Sequence, residues 1–291
     1  MTRSHPSDIA LWANLACVWE ATARKAGNVH IACGFADLKY TDFLQSDAAI
    51  APVFARELDR GVGHLVLESI RATRQVVGSN TNLGIVLLLA PLAVGRPYLP
   101  LREALAEVLR DLTVEDSRQV YAAIRLAQPG GMASVAEQDV RGQPTLPLRD
   151  VMALAQDRDL IARQYVNGFR EVLDEGLPAL LRGLNRSGNL EDAIVATHLE
   201  LLADYPDSLI ARKCGMAEAE EASRRARAVL GAGWPDAEAG RKAFAAFDAW
   251  LRADSNRRNP GTSADLVTAC IFAALRDNKI MLPLTTPWSR R

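Results

Sequence analysis

The residues best suited to chemistry form a short polar loop, Gly78 to Gly84, which reads Gly-Ser-Asn-Thr-Asn-Leu-Gly between two apolar helical runs. Glycine lets backbone approach a ligand closely, and Ser, Thr and Asn offer hydroxyl and amide groups. A loop that ends where a helix begins also presents free N–H groups to an anion. The alternative is a helix C-cap followed by an N-cap. The candidate binding residues here are Gly78, Asn80, Thr81, Asn82 and Gly84.

Two polar clusters precede this loop. In the first, Glu20 is followed by Lys25, Gly27 and Asn28. A lysine beside a glycine can bring an ammonium and backbone amides to a phosphate, whereas surface ion pairing is the alternative interpretation. In the second, Asp37 ends a Gly-Phe-Ala-Asp segment. A turn or N-cap role accounts for Asp37 unless the fold draws its carboxylate into a site.

Two further clusters combine acidic and basic residues. Glu68 precedes the loop on an apolar helical run and shares a helical stripe with Arg71, which is also typical of a solvated face. Asp207 lies about one helical turn before Arg212 and Lys213. The two cations of the second cluster are candidates for binding phosphate.

The last cluster, Asn259 to Val267, begins with a Pro-Gly turn. Gly261 and Ser263 are candidate ligand contacts, and Asp265 is a second candidate for a metal ligand or a general base. A local explanation is also available, because Thr262 or Ser263 can cap a helix whose first turn favours a carboxylate such as Asp265.

Helical periodicity runs through nearly the whole chain, and strand alternation is almost absent. We therefore predict an all-α fold: one multi-helix domain over residues 1–291, with the polar loops converging on one cleft. The run from Leu83 to Ala93 is apolar all round, so it should form the central helix. Thr113 and Asp116 predict a capping box for the helix that ends near Ala127. The other predicted helices are 8–23, 41–58, 63–77, 101–109, 148–154, 159–175, 177–184, 189–203, 217–232, 236–252 and 262–277.

Composition and charge exclude several classes of protein. The chain is 49% hydrophobic, and 34 Lys plus Arg nearly balance 35 Asp plus Glu, so nucleic acid and anionic membranes are not expected as partners. Its four cysteines are scattered without a C-x-x-C pair, which argues against a zinc site or a disulfide framework. No apolar run approaches the roughly 20 residues that span a bilayer. We expect a soluble, cytoplasmic protein; its oligomeric state is left open.

In their order and spacing, these clusters resemble the triphosphoribosyl-dephospho-coenzyme A synthase family. The resemblance extends from about Glu20 to Ala274. It implies transfer of the triphosphoribosyl group of ATP to dephospho-coenzyme A with release of adenine. The family patterns acid then P-K-P-G, G-x-H-x-D-M, G-x-N-T-H-K-G, D-T-N-hydrophobic-x-R-x-G and S-P-G-G-S-A-D-L-L are similar to segments 20–27, 34–37, 78–84, 207–213 and 259–267.

The chain departs from the family at several positions. Asn82-Leu83 stands where the loop motif has His-Lys, Arg24 and Ala26 replace two prolines, and the histidine before Asp37 is absent. These departures leave three alternatives open. Instead of transfer to dephospho-coenzyme A, the chain could act on another acceptor in the synthesis of a one-carbon carrier coenzyme, bind a nucleotide without catalysis, or transfer the ribosyl group to water.

The resemblance and the chemistry of N-glycosidic bond cleavage together imply roles for the candidates. Carboxylates stabilise positive charge at the ribose carbon and act as general bases, while Mg²⁺ and cations hold the triphosphate. We assign Asp37, Glu68 and Asp265 to catalysis, with Asp37 and Glu68 as Mg²⁺ ligands. The substrates would be ATP and a cofactor-precursor acceptor. The predicted phosphate and ribose contacts are Lys25, Gly27, Asn28, Gly78, Asn80, Thr81, Asn82, Gly84, Arg212, Lys213, Gly261 and Ser263.

Overall fold

The computed structural model describes residues 6–96, 98–130 and 137–289, which contain fourteen α-helices and no β-strand. A 3₁₀ turn at Leu58–Arg60 and a π-helical turn at Glu171–Gly176 complete the regular structure of these ranges. The all-α prediction is confirmed. The helices are α1 (Pro6–Thr22), α2 (Tyr40–Arg56), α3 (Val62–Val76), α4 (Leu83–Val94), α5 (Leu101–Arg110), α6 (Val114–Ala127), α7 (Leu148–Ala153), α8 (Leu160–Asn167), α9 (Leu177–Ser187), α10 (Leu190–Asp204), α11 (Ser208–Cys214), α12 (Met216–Gly231), α13 (Glu238–Arg252) and α14 (Gly261–Arg276).

Two helices form the centre of the molecule. In α4, 10 of 12 residues are buried, as its uniformly apolar sequence predicts. In α14, 14 of 16 residues are buried, and this helix packs against α1, α4 and α10. Each fully buried aliphatic side chain contributes about 1.5–3 kcal/mol to the stability of the fold. The two helices are therefore held firmly in place, and so are the loops that precede them.

The buried apolar residues, from Ile9 on α1 to Ile280 beyond α14, form one contiguous hydrophobic cluster. The assignment of residues 1–291 to one domain stays a prediction. No helix within the described ranges is long and apolar enough to cross a membrane.

Side-chain caps set the start of several helices. At α6, Thr113 Oγ1 accepts a hydrogen bond from Asp116 N at 3.2 Å, and Asp116 Oδ2 accepts one from Thr113 N at 2.8 Å. This is the predicted capping box. Asp159 and Asp207 cap α8 and α11 with their side chains alone, each accepting two backbone N–H groups on one carboxylate oxygen.

The structure differs from the predicted helices in two places. Residues 159–175 do not form one helix, since α8 ends before Gly168 (φ +75°) and Phe169 (φ +62°), both in the left-handed region. Glycine ends a helix readily in this conformation. Phe169 is fully buried against Tyr165, so packing holds its backbone there. The second difference is α11, a seven-residue helix that the periodicity did not predict.

Candidate functional site

A cavity of about 970 Å³ opens between the start of α4, the start of α14, helices α6, α7, α8 and α11, and the loops around residues 28–38 and 78–82. Its volume lies at the upper end of the range for small-molecule and cofactor sites. One side is apolar, with side chains from α6 and α7 such as Ile124 and Val151. The polar lining includes Glu20, Asn28, Asp37, Arg74, Asn80, Thr81, Asn82, Asp159, Arg212, Lys213 and Asp265.

The loop from Gly78 to Gly84 lines this cavity along its whole length. Asn80 Oδ1 accepts a hydrogen bond from Leu83 N at 3.2 Å and so holds the first turn of α4. Thr81 Oγ1 lies 2.5 Å from Ser46 Oγ, and Asn82 Nδ2 donates to Thr73 Oγ1 at 2.9 Å. These bonds tie the loop to α2 and α3 and leave the N-terminus of α4 facing the cavity.

Asp265 meets this N-terminus. A Cβ added at Gly84 would lie 2.0 Å from Asp265 Oδ2 and 2.7 Å from its Cγ, so only glycine permits this approach. Asp265 is half-buried in the cavity wall. Burial, then the carboxyl groups of Glu20, Asp207 and Asp159, raise the pKa of Asp265 well above its usual range, and Arg212 opposes them weakly. The cavity thus holds a carboxyl group of perturbed acidity beside a helix N-terminus, an arrangement that is frequent at catalytic sites.

Glu20 brings a second carboxyl group to the cavity from α1. Its Oε1 lies 2.9 Å from Lys25 Nζ. Burial raises the pKa of Glu20 above its usual value, and the charge and hydrogen bond of Lys25 offset this rise only in part. Glu20 appeared in the sequence only as the acid of the first motif, and nothing in its spacing showed that it would face a ligand.

Lys25 and Gly27 lie behind the cavity and do not line it. The amide of Gly27 donates to Asp248 Oδ1 on α13 at 2.7 Å. A Cβ at Gly27 (φ +74°) would lie 2.7 Å from Leu251 and 2.9 Å from Pro260. Of this segment only Asn28 reaches the cavity, where its amide donates to Asn259 Oδ1 at 2.7 Å.

The short helix α11 supplies the cations. Arg212 Nη1 lies 3.5 Å from Asp159 Oδ2, and Arg212 Nε donates to the carbonyl of Gly130 at 3.1 Å. Lys213 is half-buried, and burial, followed by the charge of Arg212, lowers its pKa. Both cations line the cavity together with Arg74 of α3, and their assignment to phosphate stays a prediction.

Asp207 connects α11 to α14 from outside the cavity. It is fully buried, and its second carboxylate oxygen accepts hydrogen bonds from Ser263 N at 2.7 Å and Ser263 Oγ at 2.9 Å. Ser263 was a candidate ligand contact, but its hydroxyl is used in this support and does not line the cavity. Gly261, by contrast, does line it.

The structure does not bring Glu68 to the cavity. Its carboxylate pairs with Arg71 Nη1 at 2.6 Å one turn along α3, on the partly exposed face of that helix. The physical reason is the phase of α3: its buried face, including Leu65, Ile70 and Thr73, points inward and leaves Glu68 outside. Asp37 lies at the cavity rim and is exposed.

Within the described ranges, no group of three or more His, Cys, Asp or Glu side chains is arranged to hold a metal ion. Mg²⁺ bound to a nucleotide needs only one or two carboxylates, because phosphate oxygens and water complete its shell. Asp37 and Asp159 line the cavity and fit that requirement in kind. The Mg²⁺ assignment stays a prediction, and Glu68 lies too far around α3 to contribute to this cavity.

Several proteins are similar to this chain in sequence, and one of solved structure is similar in fold. Proteins of Stutzerimonas stutzeri (30% identical over 109 residues, 38% of this chain and 37% of the relative) and Pseudomonas savastanoi pv. phaseolicola (29% over 198 residues, 60% and 67%) are described as 2-(5''-triphosphoribosyl)-3'-dephosphocoenzyme-A synthases. The chain spans less than half the length of the first three relatives it matches. A crystal structure from Archaeoglobus fulgidus, described as a triphosphoribosyl-dephospho-coA synthase, has a TM-score of 0.63 at 29% identity and covers 80% of this chain and 98% of its own.

The family comparison covers nearly all of the described chain. Residues 6–282 match the family defined as CitG, ATP:dephospho-CoA triphosphoribosyl transferase. The match includes every cavity-lining segment, from Glu20 on α1 to Asp265 on α14. This chain therefore belongs to the ATP:dephospho-CoA triphosphoribosyl transferase family.

Proposed function

We propose that this protein transfers the triphosphoribosyl group of ATP to a hydroxyl group of dephospho-coenzyme A. The bond between the ribose C1 atom and the adenine nitrogen breaks, a bond from C1 to the acceptor oxygen forms, and the hydroxyl proton ultimately leaves with adenine. One observation carries the proposal: the Gly78–Gly84 loop and the Asp265 carboxyl meet in a single cavity large enough for a nucleotide and part of a cofactor.

The polar side of the cavity suits the triphosphate. Arg212 and Lys213 supply positive charge, and the start of α4 supplies N–H groups and the positive end of a helix dipole. ATP enters as its Mg²⁺ complex, and Asp37 is the proposed carboxylate ligand at the rim. The metal neutralises phosphate charge and orients the chain of phosphates when bound.

The carboxyl side of the cavity suits the reacting sugar. Cleavage of the glycosidic bond develops positive charge on the ribose, which a carboxylate in a site shielded from water stabilises strongly. Asp265 and Glu20 lie in this wall. The apolar side formed by α6 and α7 offers a surface for the uncharged part of the acceptor.

A second candidate acceptor is favoured by Asn82 and Leu83, which stand where the family motif has His-Lys. Leu83 is buried, and Asn82 is buried with its amide bonded to Thr73, so this pair brings no charge to the cavity. Loss of two potential phosphate contacts favours a less highly charged acceptor than dephospho-coenzyme A, or binding without transfer.

Incubation of the purified protein with Mg²⁺-ATP and dephospho-coenzyme A tests the proposal. We expect free adenine by chromatography and an acceptor whose mass increases by one triphosphoribosyl group. Asp265→Asn should reduce the rate by about 10²–10⁴. Adenine with free triphosphoribose as product would identify a hydrolase. ATP binding without adenine release from any acceptor would refute transfer and support a binding protein.

A further inference from the structure

Two carboxyl groups on one cavity wall have opposite surroundings. Glu20 has the Lys25 ammonium 2.9 Å from its Oε1. Asp265 accepts no hydrogen bond from the residues that the structure describes, and three other carboxyl groups act on it. Lys25 favours the ionised form of Glu20 against the opposing effect of burial, whereas burial and the neighbouring carboxyl groups favour the neutral form of Asp265. A pair of acids that differ in this way is suited to general base and general acid work.

Lys25 has no means of contacting a phosphate in this structure. Its side chain is completely buried, and it is absent from the cavity lining. Its three ammonium hydrogens have three acceptors: Glu20 Oε1, the backbone carbonyl of Glu20, and the carbonyl of Ala23 at 3.1 Å. An ammonium bears three donors, so no donor is left for a ligand.

We propose that Lys25 is a positioning residue that holds Glu20 as a carboxylate at the cavity wall, where Glu20 serves as the base and Asp265 as the acid of the transfer. This proposal rests on the proposed function. Glu20 accepts the proton of the acceptor hydroxyl while the oxygen of that hydroxyl bonds to the ribose C1 atom. Asp265 donates its proton to the adenine nitrogen as the glycosidic bond breaks. A proton then passes from Glu20 to Asp265, which restores both groups.

The other charged and titratable groups around Glu20 support this division. Cys17 on α1, Asp47 on α2 and Asp265 on α14 face the same buried region, and His198 on α10 faces Lys25. Burial and then Glu20 raise the pKa of Asp47 well above its usual range. Burial, followed by the charge of Lys25, lowers the pKa of His198 to about 3, so His198 stays neutral.

Lys25 is the cation that contacts a carboxyl group of this region, while Arg212 acts on Asp265 without a hydrogen bond to it among the described residues. Among Glu20, Asp47 and Asp265, only Glu20 has a cationic partner at hydrogen-bonding distance within the described ranges. Glu20 is therefore the carboxyl group of this region that ionises most easily at neutral pH.

The pH dependence of kcat/KM provides the first test. For the wild type we expect activity to fall at low pH as Glu20 takes up a proton. Lys25→Met removes the cation that favours the carboxylate, so the low-pH limb should move to higher pH by at least about one unit. Its loss of activity, at least tenfold at pH 6, should shrink as the pH is raised. Lys25→Arg should restore the wild-type limb to a large extent.

A double-mutant cycle and ATP binding separate this role from the alternatives. Glu20→Gln alone should lower kcat by about 10²–10⁴, and Glu20→Gln with Lys25→Met should lower it no further. The dissociation constant of Mg²⁺-ATP, measured by calorimetry, should change less than threefold in Lys25→Met. A tenfold or greater loss of ATP affinity with an unmoved pH limb would overturn the proposal and restore Lys25 as a phosphate ligand.

Arg24 provides the matched control. It lies next to Lys25, is largely exposed, and pairs with Glu191 at 2.6 Å instead of Glu20. Arg24→Met removes the same charge and should leave the low-pH limb in place. A shift in Arg24→Met equal to that in Lys25→Met would show a general effect of net charge and would count against the positioning role.

A spectroscopic measurement keeps the test independent of turnover. Isotope-edited infrared spectra of ¹³C-Glu-labelled protein, compared with Glu20→Gln, report whether Glu20 is a carboxylate or an acid. We expect the carboxylate in the wild type at pH 7 and the acid in Lys25→Met; an unchanged Glu20 signal in Lys25→Met refutes the positioning role. Absence of adenine release by the wild type would refute the proposed function, a failure that this spectrum distinguishes from failure of the ion pair.

Discussion

Replacement of Gly84 by alanine tests the contact between the start of α4 and Asp265. The added Cβ would lie 2.0 Å from Asp265 Oδ2, 2.7 Å from Asp265 Cγ and 2.9 Å from Ile161 Cδ1. To reach ordinary van der Waals separation, the methyl group and the carboxyl oxygen must move apart by about 1.4 Å. Because α4 is fixed by its buried residues, we expect the Asp265 side chain to rotate away.

The expected effect is large on activity and small on stability. A misplacement of about 1 Å in a reacting group costs on the order of 10²-fold in rate, so kcat for adenine release should fall by about that factor. Overpacking costs about 1–3 kcal/mol, and alanine regains about 1 kcal/mol of helix propensity over glycine. The free energy of unfolding should therefore fall by no more than about 2 kcal/mol, measured by urea denaturation.

Gly231→Ala provides the control for the change of backbone propensity alone. Gly231 is the last residue of α12, and a Cβ there would meet no atom within 4 Å. This variant should keep wild-type kcat and KM with equal or greater stability. Wild-type turnover in Gly84→Ala would refute the reasoning, since it would show that the position of the Asp265 carboxyl does not matter for the reaction.

Three further predictions follow from the same geometry. Glu68→Gln should keep kcat within twofold of wild type, because Glu68 pairs with Arg71 away from the cavity; a loss comparable to Asp265→Asn in the adenine assay would return it to the site. Arg212→Met should raise the dissociation constant of Mg²⁺-ATP about tenfold by calorimetry, since one charged hydrogen bond contributes about 1.5–3 kcal/mol; an unchanged value would exclude Arg212 from phosphate binding. Burial lowers the pKa of His198 to about 3 in the folded protein. As the pH falls, the unfolded chain therefore protonates this histidine before the folded chain does, and the free energy of unfolding should decline from about pH 6.5 toward pH 3. His198→Leu should lessen this decline in urea titrations at pH 7 and 4.5, and an equal decline in both proteins would contradict the assignment.

Local patterns sufficed to predict most of the helices. The apolar run that begins at Leu83 predicted α4 and its central position, and Thr113 with Asp116 predicted the start of α6. Such features depend on neighbours within one or two helical turns, which the sequence displays directly. The break at Gly168 was missed because the periodicity resumes after it, and tertiary packing of Phe169 decides the local conformation.

The site was predicted in part. Asp37, Asn80, Arg212 and Asp265 share one cavity although they are far apart in sequence, and the family motifs were the signal that joined them. The direction of individual side chains could not be predicted. Lys25 was assigned to phosphate because its spacing from Gly27 suits an anion-binding loop, and no local pattern shows that its ammonium is enclosed by carbonyl groups.

The sequence also did not show which acidic side chains face the cavity. Glu68 occupies the expected position before the loop, yet the phase of α3 sends it outward. Glu20 lies on α1 between largely buried turns, and its role depends on an ion pair that only the folded chain reveals. Both ion pairs are local, three and five residues apart, but packing between distant segments decides which side of each helix faces the cavity, and propensity does not encode that packing.

The buried position of α14 has a consequence for biosynthesis. This helix is the last in sequence of those that the structure describes, and it packs against α1, α4 and α10 while carrying Asp265 to the start of α4. A nascent polypeptide that lacks α14 would leave α1, α4 and α10 without the helix against which they pack, and the cavity would lose one wall. If the proposed function holds, a translation product that stops before Gly261 should gain no protection from proteolysis when nucleotide is added, in contrast to a product that includes α14.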